Sequence, residues 1–261
     1  MDTPALRLHG LSKRFGAKTA VEDLSLDVPR GSFYGFVGPN GAGKTTALSM
    51  ATGLLRPDRG AVSVSGIDVW QDPIAAKRPM GVLADGVLLF DKLTGEQLVT
   101  YAGLLRGMDR QTVAARTEDL LWVLGLEEAA GRPVADYSAG MTKKIALASA
   151  MVHAPELLVL DEPFEAVDPV SARTIRSLLD SYVASGGTVI VSSHVMDLVQ
   201  RMCSHVASSP KAGCWRPAPW RRCARARIWR VGSWSWSALR AEERSSRGCD
   251  SDPPEAAADG Q

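Results

Sequence analysis

The chain has 261 residues, 45% of them hydrophobic and 23% charged, a composition typical of globular proteins that fold in water. Its formal net charge of +1 gives no reason to expect nucleic acid as a partner, because such binding needs a concentrated basic face. No run approaches the roughly 18 apolar residues of a membrane span, and the N-terminus lacks the features of a secretory signal, so we expect a cytoplasmic protein.

Short apolar runs bounded by glycine and proline predict strands, and a longer run after a glycine-rich loop predicts a helix over residues 44–55. The predicted strands cover residues 6–9, 25–28, 33–37, 61–64, 81–84, 157–160 and 188–192. Strand and helix signals alternate along the chain. This alternation predicts an α/β fold with a mainly parallel sheet, in which ligands bind beyond the carboxyl ends of the strands.

Between about residues 86 and 155 the strand signal disappears and helical patterns replace it. The segment begins with a capping-box pattern, in which Thr94 is followed by Gln97 three residues later. Apolar residues between 120 and 126 predict a second helix, and residues 141–151 predict a third. We therefore expect a helical subdomain inserted into the sheet.

A glycine-rich loop follows the third predicted strand and precedes the helix at Lys44, in the pattern Gly-x-x-x-x-Gly-Lys-Thr. Glycines allow consecutive backbone amides to face phosphate oxygens, Lys44 adds a cation, and the Thr45 hydroxyl is a magnesium ligand. The pattern predicts a magnesium nucleotide site. Its predicted nucleotide-binding residues are Gly38, Pro39, Asn40, Gly41, Ala42, Gly43, Lys44, Thr45 and Thr46.

Two acidic residues close the apolar strand at residues 157–160. In P-loop enzymes an acidic residue at such a strand end holds magnesium, and Asp161 fits that role. Glu162 follows it and is placed to act as a general base toward water. Read alone, such a pair is more often a solvated turn, but together with the glycine-rich loop it predicts a catalytic site.

Further motifs, in the same order along the chain, resemble those of ABC-type ATPases, the nucleotide-binding subunits of ABC transporters. Tyr137-Ser138-Ala139-Gly140-Met141 resembles the Leu-Ser-Gly-Gly-Gln signature. Phe15 matches the aromatic residue that stacks on adenine, Asp168 matches the loop that links two subunits, and His194 matches the switch histidine. The resemblance covers about residues 5–207 and implies a P-loop NTPase fold with a mainly parallel core sheet, N-terminal antiparallel strands and the inserted helical subdomain.

The resemblance also implies an assembly. Two nucleotide domains, identical or different, would face head to tail, with each ATP between one P-loop and the signature of the other subunit. Ser138, Ala139, Gly140 and Met141 would then meet phosphate from across the interface, at the positive end of a helix. A separate integral membrane permease would contact the region around residues 85–105. The chain would be an exporter-like ATPase, peripheral on the inner face of the cell membrane, that binds ATP and Mg²⁺.

Three positions depart from the family pattern. Ala139 replaces the first signature glycine, Met141 replaces the glutamine, and Asp85 stands where a glutamine is expected after the strand at residues 81–84. Asp85 is a candidate magnesium ligand, although its side chain is one methylene shorter and charged. Slower turnover than in the family is therefore expected.

The composition changes after residue 207: five of the seven tryptophans and three of the four cysteines lie between residues 208 and 261. We interpret this segment as an atypical tail, either disordered or the product of a frameshift. If residues 208–223 are written in GC-rich codons and read two nucleotides further on, one allowed solution is a family-like ending. A basic aromatic binding segment that includes Arg221 and Trp229 is the alternative interpretation.

Two other functional classes remain open at the level of sequence. One is a soluble ABC ATPase acting on ribosomes or DNA, although such proteins usually carry two P-loops or a coiled-coil insertion, and this chain has a single P-loop and no heptad run. The other is a weakly catalytic nucleotide-binding regulator, which the altered signature would suit.

Overall fold

A computed structural model describes residues 3–86, 88–211 and 214–218 of the chain. The strands are β1 (Leu6–Phe15), β2 (Lys18–Val28), β3 (Phe33–Val37), β4 (Arg59–Val64), β5 (Ile67–Asp68), β6 (Met80–Leu83), β7 (Leu157–Leu160), β8 (Thr188–Ser193), β9 (His205–Lys211) and β10 (Cys214–Ala218). The helices are α1 (Lys44–Ala51), α2 (Pro73–Lys77), α3 (Gly95–Leu105), α4 (Arg110–Val123), α5 (Ala139–Met151), α6 (Pro169–Ala184) and α7 (Met196–Met202).

The strands form two sheets. One is antiparallel in the order β2-β1-β4-β5, and the other has the order β10-β9-β3-β8-β7-β6. In the second sheet β9, β3, β8, β7 and β6 are mutually parallel, and only β10 runs antiparallel to its neighbour. Every residue of β3, β7 and β8 is buried, as expected of parallel strands covered on both faces. The predicted α/β fold with a mainly parallel core sheet is confirmed.

The first two strands are longer than the sequence pattern predicts. They form one hairpin in which Leu6 pairs with Val28 and Phe15 with Lys18. The register shifts three times between Leu8 and Arg14, so bulges interrupt the alternation of buried and exposed residues that reveals a strand in sequence. The sequence pattern therefore predicts only residues 6–9 of β1 and 25–28 of β2.

The first helix is shorter than predicted, ending at Ala51 rather than at residue 55. The Thr52 hydroxyl donates to the Leu48 carbonyl, and Gly53 turns the chain with a φ of +67°. A glycine in the left-handed region is a common helix end, and apolar Leu54 and Leu55 had concealed it.

Helices α3, α4 and α5 lie in the predicted helical region and pack against one another around buried Leu98, Leu120 and Ile145. The predicted capping box is confirmed, since the Thr94 hydroxyl accepts from the Gln97 amide and the Gln97 side chain accepts from the Thr94 amide. Two 3-10 turns, Glu127–Ala129 and Val134–Asp136, connect α4 to α5.

Strand β9 crosses residue 207, so regular structure continues beyond the point where the composition changes. It pairs with β3 in parallel and with β10 in antiparallel orientation. Residues 219–261, with Arg221 and Trp229 among them, lie outside the described residues, and so does most of the segment interpreted as frameshifted. Within the described part of the chain, no helix combines the length and hydropathy that a bilayer span requires.

Candidate nucleotide-binding site

Four strands of the core sheet end at one edge, and each is followed by a predicted site segment. The glycine-rich loop follows β3, Asp85 lies two residues after β6, Asp161 and Glu162 follow β7, and His194 follows β8. Parallel strands place their carboxyl ends together, so the topology gathers residues that lie up to 156 positions apart, from Gly38 to His194.

A cleft of about 410 Å³ opens at this edge, within the range of ligand pockets. It is lined by Phe15, Lys18, Ala20, Asn40, Gly41, Gly43, Lys44, Thr45, Thr46, Asp85, Glu162 and Glu165. Phe15 is 52% exposed at the cleft, which suits a face left open for a flat ring. The cleft therefore contains the predicted aromatic residue together with most of the glycine-rich loop at residues 38–46, which we call the phosphate loop.

The phosphate loop depends on its glycines for conformation and for space. Gly41 has a φ of +81° and Gly43 a φ of +90°, both in the left-handed region that side chains disfavour. A Cβ atom at Gly43 would lie 2.2 Å from the Ala20 carbonyl oxygen. Only glycine fits this position, which sets the angle at which α1 begins.

Lys44 is buried, with 6% of its side chain exposed, and its ammonium group has three neighbours. Nζ donates to the Gly38 carbonyl at 3.0 Å and to the Pro39 carbonyl at 3.4 Å, and it lies 3.3 Å from Glu162 Oε1. A buried cation must be paired or hydrogen bonded, and here loop carbonyls and one carboxylate share that task. The ammonium group thus lies between the phosphate loop and Glu162.

Glu162 is fixed through its backbone and its carboxylate. Its φ of +46° is unusual for a residue with a side chain. Its amide donates to the Ser192 hydroxyl at 2.8 Å, and Oε2 lies 3.1 Å from His194 Nδ1. An ionised carboxylate has no proton to donate, so this geometry requires the hydrogen on Nδ1. The predicted base and the predicted switch histidine are therefore in contact.

Asp161 is 4% exposed, and the Ser192 hydroxyl donates to its Oδ1 in a short hydrogen bond. Among the described residues, no Lys, Arg or His nitrogen lies within 4.0 Å of this carboxylate. A buried carboxylate without a protein cation fits a position beside a bound metal ion. The described residues hold no cluster of three His, Cys, Asp or Glu side chains, so protein carboxylates and imidazoles would not form a complete metal site by themselves.

The signature residues lie at the start of α5 and do not line this cleft. Ser138 is the helix N-cap, where its hydroxyl accepts from the Met141 amide at 3.3 Å. Ser138 and Ala139 are exposed, whereas Met141 is half-buried against the core. Within one subunit, the signature and the phosphate loop are thus separate surfaces.

Asp168 is the N-cap of α6 and accepts from the amides of Val170 and Ser171. Hydrogen bonds from Ser171, with that from Val170, lower the pKa of the Asp168 carboxyl. A Cβ atom at Gly140 would lie 2.6 Å from Asp168 Oδ2 and 2.8 Å from Ser171 Oγ. Two of the predicted site residues, Gly140 and Asp168, are therefore packed against each other.

The structure adds two residues that the sequence interpretation did not assign. The Ser192 hydroxyl bonds both Asp161 and the Glu162 amide. Its signal in the sequence was its place in a buried strand, two residues before His194. Lys143 donates to the Glu162 carbonyl at 3.2 Å and lies 3.8 Å from Asp85 Oδ1. No sequence pattern indicates that contact, because it joins three distant segments.

Comparison with known proteins identifies the family of the chain. A family model described as "ABC transporter" matches residues 21–165. The ABC transporter ATP-binding protein NatA of Bacillus subtilis (strain 168) is 36% identical over 206 residues, covering 77% of this chain and 84% of NatA. The daunorubicin resistance ATP-binding protein DrrA3 of Streptomyces coeruleorubidus is 33% identical over 207 residues, covering 79% of this chain and 66% of DrrA3. The Nod factor export ATP-binding protein I of Ralstonia nicotianae (strain ATCC BAA-1114 / GMI1000) is 35% identical over 204 residues, covering 78% of this chain and 64% of that protein.

Solved structures share the fold. The structure of an ATP binding subunit of an ABC transporter superimposes with a TM-score of 0.73 at 28% identity and covers 78% of this chain and 85% of its own. A dimeric ATP-binding cassette, MJ0796 bound to ADP and Pi, gives a TM-score of 0.75 at 23% identity, with 83% and 99% covered, and shows the fold alone. With the phosphate loop, the paired acidic residues and the signature in family order, the chain belongs to the ABC transporter family as an ATP-binding subunit.

Proposed function

We propose that this subunit hydrolyses magnesium ATP and thereby powers transport, in the export direction, through a separate membrane permease. The observation that carries the proposal is the contact chain Lys44–Glu162–His194 at the phosphate loop, in which Lys44 Nζ lies 3.3 Å from Glu162 Oε1 and His194 Nδ1 lies 3.1 Å from Glu162 Oε2. A general base must be held within hydrogen-bond reach of the proton that it removes, and here both carboxylate oxygens of Glu162 are engaged by groups that orient them.

Different residues of the cleft would bind the adenine, the phosphates and the magnesium ion. Phe15 supports the adenine, and the amides of the phosphate loop from Gly38 to Thr46 hold the phosphates. Thr45, Asp161 and Asp85 would hold Mg²⁺, directly or through water. When bound, Mg²⁺ neutralises charge that develops on the phosphate oxygens. Ser192 keeps Asp161 and the Glu162 backbone in fixed relative positions beneath this site.

Glu162 would accept the proton of the attacking water. His194, which is 39% exposed on its side chain, holds Oε2 on one side, and Lys44 holds Oε1 on the other. Phosphate oxygens at the loop would compete with Glu162 and the two loop carbonyls for the Lys44 ammonium group. Binding of ATP would therefore free one oxygen of Glu162 for water while His194 keeps the carboxylate oriented.

A second ATPase subunit, identical or different, would complete the site. The signature at Ser138 lies outside the cleft of its own subunit, on an exposed helix start whose positive dipole end suits a phosphate. Asp168 and the signature are packed together, so both would meet the partner as one surface. The solved cassette MJ0796 is described as dimeric, which agrees with a second subunit.

The permease would dock next to Asp85. Exposed apolar side chains cluster around the segment that follows it, with Leu88 95%, Phe90 60% and Leu105 68% exposed. Phe90 and Tyr101 pack edge to face with ring centres 5.6 Å apart. An apolar patch of this kind suits a protein contact, and it would hold the subunit on the inner face of the membrane. The export direction is supported by relatives named for drug resistance and Nod factor export.

Replacement of Glu162 by Gln tests the proposed function. We expect the variant to lose ATP turnover by at least about 100-fold, because the amide cannot accept the proton, while nucleotide affinity changes by less than about threefold. Phosphate release and binding of a fluorescent ATP analogue measure the two quantities. Glu128→Gln, at an exposed residue that does not line the cleft, is the matched control and should behave as the wild type. Undiminished turnover in Glu162→Gln would refute the assignment.

A further inference from the structure

Lys143 lies on α5, five residues after Ser138, and its side chain points to the edge of the sheet where β6 and β7 end. Nζ donates to the Glu162 carbonyl at 3.2 Å and lies 3.8 Å from Asp85 Oδ1. The side chain is 21% exposed. One ammonium group thus connects the signature helix with the segments after β6 and β7.

Glu162 needs support of this kind. A left-handed φ is strained in a residue with a side chain, and such a conformation persists only when its surroundings hold it. The Glu162 amide is held by Ser192 of β8, and its carbonyl accepts from the Glu165 amide in the same turn. Among the described residues, Lys143 is the one donor to this carbonyl that lies outside the turn, on a separate helix. The peptide unit that follows the base is therefore fixed to α5.

The position of Lys143 along α5 links this contact to the start of the helix. Five residues of α-helix span about 7.5 Å and behave as a rigid unit, so a shift of the helix start is carried to Lys143. In the proposed assembly the start of α5 meets the nucleotide of the partner's P-loop, whereas Glu162 serves the nucleotide of its own P-loop. Lys143 therefore connects the helix that begins at one composite site with the base of the other.

We propose that Lys143 is a positioning residue that couples these two sites: it transmits the position of the signature helix to the Glu162 backbone, so that nucleotide engaged at one site sets the geometry of the base at the other. The inference rests on the proposed function, since it requires Glu162 as the base and two facing subunits. Asp85 acts as the anion that orients the Lys143 ammonium group. Because the Asp85 side chain is 46% exposed, this ion pair orients the Lys143 ammonium group but adds little to the stability of the fold.

The first test separates turnover from nucleotide binding. We expect Lys143→Met, which keeps the length of the side chain but not the donor, to lower kcat at least about tenfold and to change KM for ATP by less than about twofold. Lys143→Arg keeps a charged donor and should restore kcat to within about threefold of the wild type. Lys77→Met is the matched control, because Lys77 also donates to a backbone carbonyl, that of Gly53, but away from the cleft.

Equal kcat values for Lys143→Met and the wild type would overturn the inference, as would a loss in Lys143→Arg as large as in Lys143→Met. A wild-type protein without ATP turnover would instead overturn the proposed function, so the two failures are distinguishable. Thermal unfolding of each variant shows whether a loss of activity reflects a loss of fold.

The second test asks whether Lys143 acts through Glu162. In a Glu162→Gln background the base is absent, so Lys143→Met should not lower the residual turnover further, and ATP-dependent dimerisation should remain within about twofold. Loss of that dimer would show that Lys143 only orders the signature, and this would refute a role in positioning the base. An additional loss of residual turnover would refute it as well.

Discussion

Glu162 combines a strained backbone with two side-chain contacts, and the arrangement shows how the end of a short apolar strand positions a carboxylate. The buried strand β7 stops at Leu160, and the chain then turns sharply through Asp161 and Glu162. The turn directs the Glu162 carboxylate toward Lys44 and His194, while Asp161 remains below, bonded to Ser192. Two adjacent carboxylates therefore have different environments and, in the proposed function, different roles.

His153 illustrates a titratable residue of the core that the proposed mechanism does not use. Its Nε2 lies 2.9 Å from the Met80 carbonyl, so Nε2 carries the hydrogen, and Nδ1 is buried with no hydrogen-bond partner among the described residues. Burial, with a smaller effect of nearby Arg106 and Arg116, lowers the pKa of His153 to about 4. Protonation of Nδ1 would place a charge where no acceptor is present.

We expect acid to destabilise the fold through His153. The unfolded chain binds a proton near pH 6.5 and the folded chain only near pH 4, so the contribution is complete above about pH 6.5 and is lost as the pH falls toward 4. The loss is about 2–3 kcal/mol. Urea unfolding between pH 4 and 7 measures it. His153→Gln, which retains a donor for Met80, should flatten this dependence, whereas His9→Gln at an exposed position should not. An unchanged pH dependence in His153→Gln would contradict the assignment.

At the scale of elements, the start of α5 and the start of α6 form one unit. Gly140 leaves the space that Asp168 occupies while it caps α6. This contact explains why Ala139 is compatible with the fold whereas a side chain at Gly140 is not, since Ala139 is exposed and Gly140 is buried. The family departure at Ala139 therefore falls on the tolerant position of the pair.

We expect Gly140→Ala to destabilise the protein by about 1–2 kcal/mol. The new methyl group displaces Asp168 from its cap and crowds Ser171, and these costs exceed the gain in helix propensity of somewhat less than 1 kcal/mol. Urea unfolding checks the value. Gly131→Ala is the control, because a Cβ there meets nothing within 4 Å and its stability should stay within about 0.5 kcal/mol. Equal stabilities of the two variants would show that Asp168 moves aside freely.

At the scale of the whole molecule, the cleft and the signature face different surfaces, so the proposed site is complete only in a dimer. Ser138 offers a matched test, because Asp and Asn both cap helices as well as Ser does. In a Glu162→Gln background with ATP and Mg²⁺, we expect Ser138→Asn to dimerise and Ser138→Asp to remain monomeric, since only the second places a negative charge against phosphate. Size-exclusion chromatography with light scattering distinguishes the two states. Dimerisation of both variants would place the signature away from the nucleotide.

Sequence alone determined the residue types of the cleft, because phosphate binding requires amides, a lysine and a hydroxyl at fixed local spacing, as in Gly38–Thr45. It also determined the parallel sheet, since buried parallel strands are continuous apolar runs such as Phe33–Val37. The capping box at Thr94 was predictable for the same reason: its partners are three residues apart. These features share a local physical cause.

Only the tertiary structure decided which residues hold the proposed base. Lys143, Ser192 and Lys44 reach Glu162 from α5, β8 and α1, and no periodicity or spacing encodes contacts between elements so far apart in the chain. The full length of β1 and β2 was likewise decided by pairing, because bulges erase the alternation that sequence analysis detects. The phosphate loop could thus be predicted because its pattern lies in neighbouring residues. The positioning of Glu162, the proposed base, depends on residues that are distant in the chain and that the sheet brings together.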